Sequence, residues 1–272
     1  VAAPYTQTVM AADPHLRLPY TLQWNAAIQQ GLGRDQSLTV SYVGASGRRL
    51  LYNAGYNLVG INPNFGAGSF LYIVNGASSS DYHSMQTQFL RKMSHGLQVL
   101  ASYTWSHSID DLSSNQTYSA VLIRGNSNFD VRHSFNAALS YAFPSNYSNK
   151  ITESLLGNWY ADLRESARSS LPVDVYYGYS FLQDGLSVRT RPDLRPGVPL
   201  YIGDPTAPGE RLINYDAFAA PSGAGNAPRN SLRGFSMWQT DLAVRREFPI
   251  RERVKLQFRA EAFNLFNHPI FG

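Results

Sequence analysis

The sequence predicts an all-β protein, an antiparallel transmembrane β-barrel represented in part by about ten strands of a larger barrel. Three observations predict it. Apolar and polar residues alternate with period two in segment after segment, the polar side stays polar along whole segments, and short turns alternate with long connections. Neighbouring side chains on a strand point to opposite faces, so each alternation describes a ribbon with one greasy and one hydrophilic side.

The first such ribbon is Tyr20–Leu32, with Leu22, Trp24, Ala26 and Ile28 on one face and Thr21, Gln23, Asn25, Ala27 and Gln29 on the other. Gly33-Arg34-Asp35 supplies a turn, and Leu38, Val40 and Tyr42 then alternate with Ser37, Thr39 and Ser41, which makes a hairpin. His83–Lys92 turns at Met93-Ser94-His95-Gly96 into Leu97–His107, where Leu97, Val99, Ala101, Tyr103 and Trp105 oppose Gln98, Ser102, Thr104 and Ser106. Val131–Phe143 sets Phe135, Ala137, Leu139 and Tyr141 against Arg132, Ser134, Asn136 and Ser140. Two further strands fall near 156–167 and 173–180. In the last hairpin Leu242, Val244 and Phe248 alternate with Asp241, Arg245 and Glu247. Pro249 to Arg253 turn the chain, and Val254, Leu256, Phe258, Ala260 and Ala262 then alternate with Lys255, Gln257, Arg259 and Glu261.

A soluble sandwich also alternates, so the character of the two faces decides. Gln, Asn, Ser and charges occupy the polar face throughout, while the apolar face tends to begin or end in an aromatic: Trp24, Tyr103, Trp105, Tyr141, Phe143, Trp159, Trp238 and Phe248 all fall near strand ends. Aromatic girdles at two bilayer interfaces would place them there. Strands of about 11–13 residues also exceed the 5–6 usual in globular sheets and suit a tilted crossing.

Short turns at 33–35, 93–96 and 249–253 alternate with long loops at 46–81, 108–129 and 181–235, the asymmetry of an outer-membrane barrel. Nine strands can be placed. With the short turns all on one side, parity requires a tenth between Leu182 and Arg233, around Leu186–Arg191 or Ile213–Ala219. An open sheet edge in lipid leaves unpaired N–H and C=O groups at several kcal/mol each, so a barrel must close. The expectation is therefore that residues 1–272 form the C-terminal portion of a barrel whose first strands, and last one or two, lie outside this sequence.

Composition agrees. The 272 residues are 43% hydrophobic but only 15% charged, below the ~25% of soluble domains, with a mean hydropathy of −0.27. The absence of cysteine excludes disulfides, thiolate metal sites and a Cys nucleophile. No run approaches the ~18 apolar residues of a membrane helix, a limit that leaves membrane strands open. The net charge of +4 comes from arginines scattered along the chain, with only Lys92, Lys150 and Lys255 beside them, so no polybasic stripe invites nucleic acid. Val1 to Met10 has neither the charge nor the apolar run of a targeting segment.

Three stretches carry a family resemblance: Tyr82–Asp111 (YHSMQTQFLRKMSHGLQVLASYTWSHSIDD), Ser127–His133 (SNFDVRH) and Asn230–Gly272, which opens within RNSLRG and closes on RAEAFNLFNHPIFG. Shorter ones are LQWNAAIQQ, YVGASGRRL and RPDLRPGVPLY. Together they resemble the C-terminal barrel half of TonB-dependent outer-membrane receptors of the Oar-like group. The resemblance implies a barrel of about twenty-two strands in the outer membrane of a Gram-negative bacterium. It further implies uptake of a ligand at the cell surface, energised by the TonB complex of the inner membrane. The plug, the TonB-contacting box and a regulatory-like β-domain would precede this segment, and lipid and the unknown transported ligand would be its partners.

Several constellations invite a catalytic or metal reading. His107-Ser108-Ile109-Asp110-Asp111 brings a His, a Ser and two carboxylates together, but triads are assembled by distant segments, and a polar strand end entering an outer loop accounts for it. Calcium at Asp110 and Asp111 would need further oxygens. Arg132-His133 after Asp130 invites a proton or anion site, but Asp130 and Arg132 read as an ion pair at a strand start. His15, His83, His95 and His268 lack metal-ligand spacing, and Gly66-Ala67-Gly68-Ser69 lacks the Lys of a phosphate loop. Asn115-Gln116-Thr117 and Asn146-Tyr147-Ser148 match the glycan acceptor pattern by chance. No cofactor, metal or catalytic residue is expected, and the protein is read as no enzyme.

The candidate site is a lumen-facing row of Asp241, Arg245, Glu247, Lys255, Arg259 and Glu261. Fixed charges in a wet barrel interior can steer a ligand or hold a plug. The same row can equally be a cross-strand charge ladder contributing a few tenths of a kcal/mol per pair. Alternatives for the whole chain are a passive porin-like or adhesin barrel and a secreted carbohydrate-binding β-protein.

Overall fold

The computed structural model describes residues 3–58, 61–113, 122–145, 148–181, 187–251 and 254–271. Eight antiparallel strands follow one another as neighbours in one sheet: β1 (Tyr20–Leu32), β2 (Gln36–Asn57), β3 (Phe70–Ser94), β4 (Leu97–Asp110), β5 (His133–Ala142), β6 (Trp159–Arg168), β7 (Met237–Arg251) and β8 (Val254–Ala262). Two short strands complete a ten-stranded sheet. Thr8–Ala12 runs parallel to the start of β3, and Gly125–Asn126 pairs with the end of β4.

The register turns the alternation of single strands into rows that cross the sheet. Ile28, Val40, Thr87, Tyr103, Phe135, Ala167 and Trp238 are successive partners from β1 to β7. Displaced by one residue, Gln29, Thr39, Gln88, Ser102, Asn136, Ser166 and Gln239 form an unbroken polar row. A slip of one residue in any pair would send amides into the apolar row, so the pattern specifies the pairing strongly.

No second layer of protein covers the apolar rows among the described residues. Ile28 is 77% exposed and Leu256 58%, with Leu22, Trp105 and Phe258 similarly open. The buried apolar side chains are Tyr52, Ala54, Leu58, Ala217, Ala227 and Leu232, all in the far part of β2 or in the long connections. A soluble sheet of this size would hide one face; this one hides neither.

The hairpins close at 33–35 and 95–96, between the paired Arg251 and Val254 (residues 252 and 253 lie outside the described set), and between the end of β5 at Ala142 and the start of β6 at Trp159. This fourth connection holds a short helix, α1 (Lys150–Leu156), whose N-cap Asn149 accepts from the Ile151 N–H at 2.9 Å. Helix formation there moves the start of β6 from 156 to 159. The opposite connections are 58–69, 111–132 and 169–236.

The structure corrects the count of crossings. Among the described residues parity is met by eight crossing strands, without a tenth. The segment expected as a strand at 173–180 belongs to the outer connection, where Pro172–Val173 pairs with Leu232–Arg233 and Gly178–Phe181 with Ser187–Thr190. The two places proposed for the tenth strand behave alike: Leu186–Arg191 contributes the Ser187–Thr190 ribbon just described, and around Ile213–Ala219 the segment Arg211–Ile213 pairs with Tyr201–Gly203 and Phe218–Ala219 with Asp193–Leu194. Residues 182–186 lie outside the described set. Ribbons of two to four residues cannot span the ~9–11 residues that a crossing needs. The loop expected at 46–81 is also shorter, because β2 and β3 stay paired far past the length of a crossing, with register shifts between Gly47 and Leu50 and between Leu50 and Tyr52.

Candidate functional site

All six predicted site residues lie on the polar face of β7 and β8. Arg245 pairs in register with Arg259, Ala243 with Glu261, Glu247 with Gln257, and Pro249 with Lys255. Arg245 Nε contacts Asp162 at 3.2 Å on β6, and its Nη1 lies 4.0 Å from Glu247, which Lys255 reaches at 3.4 Å. Its guanidinium carbon also sits 4.3 Å from the ring centre of Tyr160. Arg259 pairs with Glu261 beside it. Asp241 stands apart from these ion pairs, accepting from Gln239 Nε2 at 2.8 Å and from the Asn264 N–H at 2.9 Å.

The structure adds β6 to the group. Asp162, Arg164, Asp241, Arg259 and Glu261 line one shallow depression of about 250 Å³ with Ser140 at its side, and Ser140 donates to Asp162 at 2.6 Å. Asp162 and Arg164 alternate with Ala161 and Leu163, a signal that the sequence carries but that stays unread until the strand start is known. Arg164, Arg245, Lys255 and Arg259 balance Asp162, Asp241, Glu247 and Glu261, so the patch has no net charge. Such a surface offers hydrogen bonds of both kinds rather than a field of one sign.

A second constellation joins three motifs from the sequence. Arg229 is buried with Nη2 2.5 Å from Asp110 and bonded to the carbonyls of Gly125 (3.2 Å) and Asn126 (3.1 Å). Asn230 donates to the Asn126 carbonyl at 2.6 Å and to Asn128 Oδ1 at 2.7 Å, and its own N–H reaches Asp174 at 3.0 Å. Asp174 also pairs with the buried Arg191. The fully buried Asp130 takes Arg233 at 2.5 Å, Arg132 at 2.9 Å, His107 Nδ1 at 3.2 Å and the Ser108 N–H at 2.8 Å. The expected pair of Asp130 with Arg132 is thus present, inside a larger network.

Burial raises the affinity of Asp130 and Asp174 for a proton, but the partners outweigh it. The Ser108 N–H and Arg233, with His107 and Arg132, hold Asp130 below the usual carboxylate range. Arg191 and the Asn230 N–H, with the Tyr176 hydroxyl, do the same for Asp174. The network clamps the 169–236 connection to the ends of β4 and β5.

The residues singled out for catalysis or metal binding have ordinary partners. Asp110 serves Arg229 and caps the Leu112 and Ser113 N–H groups; Asp111 accepts from Ser79. His83 and His133 each bond a tyrosine, Tyr42 and Tyr103, at 2.7 Å, and His268 stacks on Trp238. Among the described residues no group of three His, Asp or Glu could hold a metal. Asn115 to Thr117 and Asn146 with Tyr147 lie outside the described residues.

A family described as outer membrane beta barrel domain matches residues 1–272. No curated protein matches the sequence. Among solved structures, the outer membrane transporter YddB from Escherichia coli aligns with a TM-score of 0.55 and 11% identity, over 93% of this chain and 29% of its own. The FrpB iron transporter from Neisseria meningitidis aligns with a TM-score of 0.47 and 10% identity, over 96% of this chain and 28% of its own. At these identities the likeness to YddB is one of fold, and the FrpB score is too low to add to it. The chain spans less than a third of either transporter.

Proposed function

The chain belongs to the outer membrane beta barrel domain family, and on that premise we propose that it is the C-terminal barrel portion of a TonB-dependent receptor of the Oar-like group. In this reading the whole receptor takes up a ligand from the cell surface, is energised by the TonB complex through parts N-terminal to this segment, and performs no catalysis. The observation that carries the membrane part is the exposure of the largely apolar rows, which no second layer of protein covers among the described residues. Two facts support the larger barrel: the chain spans 29% of the YddB chain, and among the described residues β1 and β8 are each paired along one edge only.

The charged patch around Arg245 faces the lumen in this proposal, where it meets a plug. Its balanced charge favours a folded protein surface, which presents donors and acceptors together, over capture of one charged ligand.

The test is made on the full-length receptor. It should fractionate with outer membranes and migrate anomalously on a gel unless heated; recovery in the soluble periplasmic fraction would overturn the reading. Reconstituted in vesicles, it should pass no small sugars, since a plug closes the lumen. Rapid vesicle swelling would instead establish the passive porin-like alternative. A photoreactive residue at Gln257 should crosslink to the plug, and one at Leu256 to lipid.

A further inference from the structure

The apolar face carries a groove at its turn side. Phe143, Leu156 from the end of α1, Trp159, Ala161 and Val244 enclose about 390 Å³, and hardly any polar atom lines it. Ligand pockets commonly occupy roughly 300–1,000 Å³. The register places Ala161 beside Val244, and Trp159 beside Arg246, which in turn partners Phe258 on β8. All of these share the face of the exposed rows, so the groove opens away from the charged polar face.

Arg246 is the unexpected member. Its guanidinium carbon lies 4.4 Å from the Phe248 ring centre and 5.4 Å from that of Trp159, and Trp159 meets Phe258 edge-on at 6.5 Å. The cation is thus held by aromatic rings at the rim of an oily slot, on the side where the hairpins turn. In outer-membrane barrels the short turns are periplasmic, and aromatic girdles mark the headgroup level. Arginine binds phosphate through a planar fork of donors and snorkels readily to that depth.

We propose that this is a binding site for one glycerophospholipid of the periplasmic leaflet, with its phosphate on Arg246 and an acyl chain in the groove beneath α1. Charge complementarity selects the headgroup, and the apolar lining selects the chain. α1 forms one wall of the slot, which explains why the β5–β6 connection, unlike the other hairpin turns, spends sixteen residues between Phe143 and Asn158. The inference rests on the lipid-facing orientation of the apolar rows and not on ligand uptake.

The full-length receptor, extracted in mild detergent and exchanged into vesicles of phosphatidylethanolamine and phosphatidylglycerol, is then examined by native mass spectrometry. Wild-type protein should retain a bound phospholipid. Arg246→Gln and Ala161→Phe, which respectively remove the cation and fill the slot, should each lower that occupancy roughly fivefold or more, while Arg246→Lys keeps most of it. Heat-modifiable migration confirms that each variant has folded, and Val244→Phe, which fills the slot from β7, serves as the slot-filling variant if Ala161→Phe has not. Absence of retained lipid in wild type, or occupancy unchanged in Arg246→Gln or in the slot-filling variant, would overturn the assignment. Loss of uptake with lipid retention intact bears on the transport proposal alone.

Discussion

Arg229 Nη2 lies 2.5 Å from Asp110 Oδ1, although the two residues are 119 apart in the chain and both are almost wholly buried. One belongs to the end of β4 and the other to the long 169–236 connection, so this contact ties the outer segment to the sheet.

Removing one partner of a buried pair leaves an uncompensated charge, at about 3–5 kcal/mol. Arg229→Leu should therefore leave the barrel formed but release the 169–236 connection. Hydrogen exchange and limited proteolysis should both show faster opening between Ser170 and Arg233. Unchanged protection would mean that the neighbouring Asp130 and Asp174 pairs hold the connection alone.

The same network predicts a pH dependence. Asp130 and Asp174 have folded-state proton affinities lowered from the ordinary value of 3.8, so their stabilisation is complete above that value and is lost as pH falls through the lower folded-state one. Exchange protection of the connection should stay constant from pH 7 to about 5 and decline only below about 4. A decline already complete at pH 5 would show that other groups control it.

Leu242 and Ala243 are neighbours on opposite faces of β7, partnered by Leu163 and Asp162 on β6, midway between the Trp238 and Arg246 levels. Leu242→Arg should destabilise the barrel by about 2–4 kcal/mol, and Ala243→Arg, beside Asp162 and Glu261, far less. Denaturant titrations of the reconstituted protein measure both, and equal effects would refute the assignment of faces.

Two glycines should respond differently. The Trp24 indole lies across Gly44, so that a Cβ there would come 2.3 Å from Trp24 Cε2. Trp24 is at the open surface and can swing aside, so Gly44→Ala should cost only about 0.2–1 kcal/mol, the worth of one cross-strand pair. Its signature is a shift in tryptophan emission. At Gly225, with φ +82°, a Cβ would meet the Arg191 carbonyl at 1.9 Å, and backbone cannot move aside so cheaply. Gly225→Ala should open the 169–236 connection to proteases even though the barrel survives.

Much of the molecule was legible in the residue order. The period-two pattern fixes which side of each long strand is apolar, and Gly33, Gly96 and Pro249 mark three of the four hairpin turns. Both signals are local, written in neighbours that touch or alternate, and so the common face of Asp241, Arg245, Glu247, Lys255, Arg259 and Glu261 follows from parity alone. Tertiary structure decided what has no local signature. Pro172–Val173, Ser187–Thr190 and Arg211–Ile213 are too short to show a face, and only their partners make them outer ribbons instead of crossings. The contact of Asp162 with Arg245, and the burial of Asp110, Asp130 and Asp174 against Arg229, Arg233 and Arg191, likewise depend on a register and a returning connection. A charged side chain looks the same in sequence whether it meets water or a partner a hundred residues away; closure of the chain in space is what separates the two.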